Sequence, residues 1–215
     1  MTGESGPLDE LIDGVDPALA SAVLEIEQHI ATSGWDQPAR LYALVPTAEL
    51  VEKEPAPAHA MGLDEAAAAG SLTAVEQDRI GADTDLERSL ESIAWPPGVA
   101  GCAAVVERLV LPPDAESAVL DAVLDDPERA TAYAREHPDR QDVRIVAGAT
   151  RAGSTYCALR LRAADEDQSV LTGAQLVPGL LALLRQTLDD PDDPDDPDDP
   201  DDTDDPTDLA EEPRP

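Results

Sequence analysis

Phenylalanine is absent from this chain, and the aromatic residues are Trp35, Trp95 and three tyrosines. A core must therefore be packed from Leu, Val, Ile and Ala, with few rings to anchor it. Basic charge is scarce as well. Lysine and arginine total 14 against 47 acids, a net charge of −33, and Lys53 is the lone lysine. A nucleic-acid binder needs cations that displace counterions from phosphates. DNA and RNA are thus excluded as expected partners, and anionic membrane surfaces with them. No run approaches the roughly 18 apolar residues of a membrane span. The opening MTGESGPLDELIDG is acidic and has no apolar stretch of the secretory kind. A soluble cytoplasmic protein is expected. Cys102 and Cys157 form no CxxC and lie in apolar runs, which suits buried, reduced thiols.

The site motifs of common chemistries are missing too. The sequence holds no GxxxxGK[ST], no GxGxxG after a strand, no HExxH, no GxSxG and no Cys/His metal spacing. Of the three histidines, His29 falls beside a helical apolar stripe and reads as edge-of-core packing. His59 lies in a Pro/Ala loop, and His137 precedes Pro138 at a helix end. Asp165-Glu166-Asp167 reads as a solvated turn, because a calcium loop needs a turn glycine and a distal glutamate. No metal, cofactor or catalytic residue is implied.

What is present is an α+β pattern. Asp16-Pro17 makes an N-cap followed by proline at the first helical position. Leu19, Val23, Ile26 and Ile30 then form one stripe, with Glu25, Glu27 and Gln28 outside it. Gly34 stops that helix, with Trp35 folding back onto Ile30. RLYALVP (residues 40–46) is a short strand, and EPAPA (54–58) an exposed break. Thr73-Ala-Val-Glu76 and Thr84-Asp-Leu-Glu87 match capping boxes, the second leading a helix through Leu86, Leu90 and Ile93. GVAGCAAVVERLVLPP (98–113) is apolar on both sides and belongs in the middle of a sheet. Helices are expected over 115–124 and 127–136.

DVRIVAGATRAGSTYCALRLR (142–162) is a hairpin. A three-residue loop at 151–153 sets Val143 opposite Leu161, Ile145 opposite Leu159 and Ala147 opposite Cys157, all on one face. It also sets Asp142 opposite Arg162. The other face then displays Arg144, Arg160, Arg162 and Tyr156. A further capping box, Thr172-Gly-Ala-Gln175, precedes a leucine-rich helix in which Pro178 predicts a kink or a later start. Adjacent strands without a crossover helix favour a mainly antiparallel sheet of about four strands covered by helices. One domain over residues 16–188 is expected, flanked by a flexible N-terminus (1–15) and an acidic tail (189–215).

That tail holds 15 acids and one arginine. Its DDP triplets favour extended polyproline II, with aspartates in two rows that repel one another. No ligand set converges on one cation, and too few apolar residues are present for a core. A disordered solubilising bristle is the reading. The first 188 residues, with 32 acids and 13 bases, remain acidic on their own.

Two groups could carry binding. Trp35, Asp36, Arg40 and Tyr42 gather at a helix-to-strand junction, either as a helix staple and turn cap or as a pocket wall. Arg144, Arg160 and Arg162, with Tyr156, share a sheet face, either as partners of Glu107, Asp142 and other acids or as an anion or acidic-peptide site.

The segments GWDQPARLYALVPTAEL, LTAVEQD, IAWPPGVAGCAAVVERLVLPP, HPDRQDVRIVAGATRAGSTYCALRLR and VLTGAQLVPGLLALL together resemble a family of uncharacterised proteins from high-GC Gram-positive bacteria. The resemblance covers residues 19–188 and implies no activity, cofactor or site residue. The leading expectation is a non-catalytic protein-interaction or adaptor domain. The alternative is a small-ligand protein or enzyme acting on an anionic substrate through the arginines.

Overall fold

The structure, a computed structural model, describes residues 15–60, 62–63, 69–77, 86–112 and 127–189. The helix expected over 115–124, the Thr84 cap and nearly all of both expected flexible ends lie outside the described residues.

Helix α1 (Pro17–Ala31) starts as its sequence dictates. The Asp16 carboxylate accepts from the backbone N–H groups of Ala18 and Leu19, and Pro17 occupies the first turn. It buries Leu19, Ala22, Val23, Ile26 and Ile30, but also Glu27, which the stripe alone places outside. β1 (Arg40–Pro46) follows, then two short helices, α2 (Thr47–Lys53) and α3 (Pro55–Ala60). The EPAPA break is real only at Glu54, since Pro55 and Pro57 sit in the opening turn of α3, where missing N–H groups cost nothing.

Next come β2 (Leu72–Glu76), α4 (Leu86–Leu90), β3 (Gly101–Val110), α5 (Pro127–Glu136), β4 (Gln141–Thr150), β5 (Thr155–Leu161), β6 (Leu171–Gly173) and α6 (Pro178–Gln186). All pairings are antiparallel, in the order β2-β1-β3-β4-β5-β6. The sheet has six strands rather than about four. Both extra strands lie where capping boxes were read. Thr73–Glu76 is inside β2, and Thr172 is in β6, so neither threonine opens a helix. The box pattern is local, whereas an edge strand is selected by its neighbour's free N–H and C=O groups. Pro178 stands in the first turn of α6, the later start that its missing N–H favours.

The hairpin has the register its pattern selects. Val143 pairs with Leu161, Ile145 with Leu159 and Ala147 with Cys157, and Gly153 takes φ +86° in the loop. The ladder ends at Val143–Leu161, however, and Arg162 turns away from Asp142 into a 3-10 turn (Arg162–Ala164).

The sheet is covered on both faces. Cys102, Ala104, Val106, Val143, Ile145, Ala147 and Cys157 pack against α4 and α6 on one side. Tyr42, Leu44, Ala103, Val105, Val146 and Ala158 pack under α1 on the other. This three-layer arrangement explains the apolar run Gly101–Val106 of β3, the third strand of six. Each fully buried aliphatic side chain contributes on the order of 1.5–3 kcal/mol.

Candidate functional site

The hairpin face that carries the arginines lies beneath α1. Arg144 and Arg160 are 1 % and 2 % exposed. A guanidinium moved out of water needs compensating partners; both find carboxylates, although Arg144 Nη1 is left buried without a hydrogen-bond partner. Arg160 meets Glu27 of α1 bidentately, Nε to Oε1 at 2.6 Å and Nη2 to Oε2 at 2.9 Å. It also donates to Asp167 at 2.8 Å and Asp165 at 3.4 Å. The Asp165–Asp167 turn is therefore part of an internal network and not only a solvated loop. Its carboxylates hold the Arg160 guanidinium further toward its charged form, with Glu27 the largest cause.

Arg144 donates to Glu107 from Nε (3.2 Å) and Nη2 (2.9 Å), and to the Gly34 carbonyl. Its guanidinium carbon stands 4.4 Å from the Trp35 ring centroid, and that of Arg162 5.5 Å. Trp35 donates its indole N–H to Asp165 at 2.9 Å. Its ring thus serves the two guanidiniums. Asp36, at φ +65°, accepts both terminal nitrogens of Arg162 at 2.9 and 2.8 Å, and its N–H donates to Glu107 at 2.7 Å. The Arg162 hydrogen bonds hold the Asp36 carboxyl below the usual carboxylate range.

The two groups read from the sequence are thus merged and re-sorted. Trp35, Asp36, Arg144, Arg160 and Arg162 form one network with Glu27, Glu107, Asp165 and Asp167. Arg40, Tyr42 and Tyr156 stand outside it. Tyr156 packs half-buried on the α1 side. Arg40 joins β1 to the edge strand, reaching Glu76 at 3.4 Å and Gln37 at 3.3 Å.

Tyr42 lines a cleft of about 610 Å³ between α1 and β2, whose walls include Glu25, Ile26, His29, Leu72 and Glu76. That volume falls within the range of ligand pockets. His29 is exposed there and not packed at the core edge. Tyr42 itself is 4 % exposed, and its Oη makes no hydrogen bond of normal geometry, although Arg40 and Glu76 lie close enough to act on it through both hydrogen bonding and charge. A buried hydroxyl without a partner is uncommon and costs about 1–3 kcal/mol. Burial first, and the Glu76 charge second, push the phenol above its ordinary value of 10.0. Unfolded tyrosine ionises at lower pH than this one, so stability should fall as pH rises past about 10. Absorbance titration should show a tyrosine step displaced to high pH, and Tyr42→Phe should remove that step.

Two residues escaped the sequence reading. Glu27 follows Ile26 and precedes Ile30 by three, at the border of the stripe, and no local signal marks it as the partner of an arginine 133 positions away. Arg151 is the other, placed by the sequence in the hairpin loop. It donates to the carbonyls of Val99 (3.0 Å), Trp95 (2.8 Å) and Leu188, and so clamps the end of α6 to the hairpin loop.

Cys102 and Cys157 are buried and unpaired. Desolvation pushes Cys102 up to about 11 and raises Cys157 as well. Since the thiolate is the nucleophile, both should resist DTNB at pH 8 in the native protein and react at once in denaturant. Prompt labelling of native protein would contradict this burial. Among the described residues, no group of three or more His, Cys, Asp or Glu is placed to hold a metal ion, and no helix is long and apolar enough to cross a membrane.

A six-stranded antiparallel sheet between α1 on one face and α4 and α6 on the other, with an internal arginine–carboxylate network, defines an α+β domain. The profile of the PPA1309-like proteins matches residues 19–189, and the chain belongs to that family. Nothing matches among curated proteins or among solved structures.

Proposed function

We propose that this chain is a non-catalytic protein-interaction domain that receives its partner at the cleft between α1 and β2. The observation that carries this reading is the unpartnered Tyr42 hydroxyl on the wall of that cleft. A buried polar group kept without a partner suggests one that arrives from outside. The arginines argue against the anionic-substrate alternative. Each of Arg144, Arg160 and Arg162 already engages a carboxylate at 2.6–2.9 Å, so an anion would have to displace a tightly held partner, whereas Glu76 at the cleft holds Arg40 only at 3.4 Å. The reading places the domain in the cytoplasm, where two buried thiols need no oxidation. It also keeps the tail as a solubilising appendage.

Affinity capture from the source organism's lysate tests this. The intact chain, Glu76→Arg, Arg162→Ala and a chain ending at Leu188 should be compared, each checked for fold by circular dichroism. The partner should be lost with Glu76→Arg and kept by the other two. A partner that survives Glu76→Arg, or disappears when the tail is removed, overturns the reading.

A further inference from the structure

The cleft's lining has a definite charge character. Glu25 and Glu76 border it, and no lysine or arginine is among its wall residues. Ile26 and Leu72 supply apolar wall, while Thr47 and Thr73 satisfy each other at 2.9 Å and leave Tyr42 as the unsatisfied group. Around it lies a chain of net charge −33, whose field repels anions and concentrates cations. Arg40 reaches Glu76 at 3.4 and 3.5 Å, the outer limit of a hydrogen bond. A second guanidinium, with donors in a fixed fork, can take the Glu76 carboxylate at shorter range and donate to Tyr42 Oη as Arg40 moves aside. Its aliphatic stem would lie along Ile26 and Leu72.

We infer that the cleft recognises a cationic side chain of the partner, an arginine or lysine inserted between Glu25 and Glu76 with Tyr42 Oη as acceptor. This rests on the cleft being the interaction site. It adds the chemistry that is read there.

The test is NMR titration of the full chain with N-acetyl-arginine methylamide, beside the neutral citrulline analogue and agmatine. Saturable shifts are expected at Tyr42 and across Leu72–Glu76, with citrulline at least ten-fold weaker. Tyr42→Phe and Glu76→Gln should each weaken the arginine probe by about ten-fold, as loss of a charge-assisted hydrogen bond implies. Equal binding of arginine and citrulline overturns the cation assignment and leaves the cleft as a site. Shifts confined to the acidic tail overturn cation recognition at the cleft, while the capture experiment decides separately whether a partner docks there. Agmatine bound ten-fold more tightly than the capped arginine assigns the site to a free amine and overturns the side-chain source.

Discussion

Arg160→Ala is expected to lower unfolding stability by about 3–5 kcal/mol, a loss visible as a shifted urea midpoint in far-UV circular dichroism. The substitution strands Glu27, which is 2 % exposed and whose two oxygens are both held by Arg160. A carboxylate left alone under α1 must either draw in water or take up a proton, and each route costs stability. Glu27→Gln should cost less, because Asp165 and Asp167 still hold the guanidinium. Replacing both residues, as Glu27→Leu with Arg160→Met, should recover most of the loss, since apolar groups of similar volume demand no ionic partner. A single-mutant effect below about 1 kcal/mol would mean that the pair behaves like a surface contact, in conflict with its burial.

Gly148→Val carries the second large effect, about 1–3 kcal/mol or more of destabilisation from overpacking. Gly148 lies on β4 where α1 crosses the sheet. A Cβ there would stand 2.8 Å from Val23 Cγ2, nearer than carbon atoms approach, and 3.0 Å from Leu19 Cδ1, tighter than most such contacts. Neither neighbour can swing clear, because both are fully buried. The helix must lift, and lifting it loosens the Glu27–Arg160 pair on the same helix. Val23→Ala added to Gly148→Ala should restore part of the stability, whereas the same alanine in the native background should only cost. That reversal of sign, read from a double-mutant cycle, separates a steric cause from simple loss of apolar area.

Local chemistry made some elements legible in advance. Asp16-Pro17 named the start of α1, and Pro178 named the later start of α6. The alternation in residues 143–161 selected the hairpin register, because a slip of one residue would have mixed the faces. The nearly continuous apolar run at 101–110, broken only at Glu107-Arg108, marked an interior strand. The misread elements, β2 and β6, are edge strands of five and three residues. Their threonines satisfy a capping pattern, and only the neighbouring strand decides otherwise.

The site divides along the same line. The sequence by itself determined that Arg144 and Arg160 share a face, because side chains two apart or cross-paired must alternate together. It also determined an acidic chain with little aromatic core. Tertiary structure alone decided that this face is closed by α1 and that Glu27 supplies the charge to close it. It likewise parted Tyr42 from Trp35, sending one into the cleft and the other against the guanidiniums. The reason is physical. Periodicity assigns a residue to a face within its own element, but whether that face meets water, a helix or a carboxylate depends on chain segments far away in sequence. In the sequence Tyr42 belongs with Trp35 at one junction, and only the cleft around it shows its buried hydroxyl without a hydrogen bond of normal geometry.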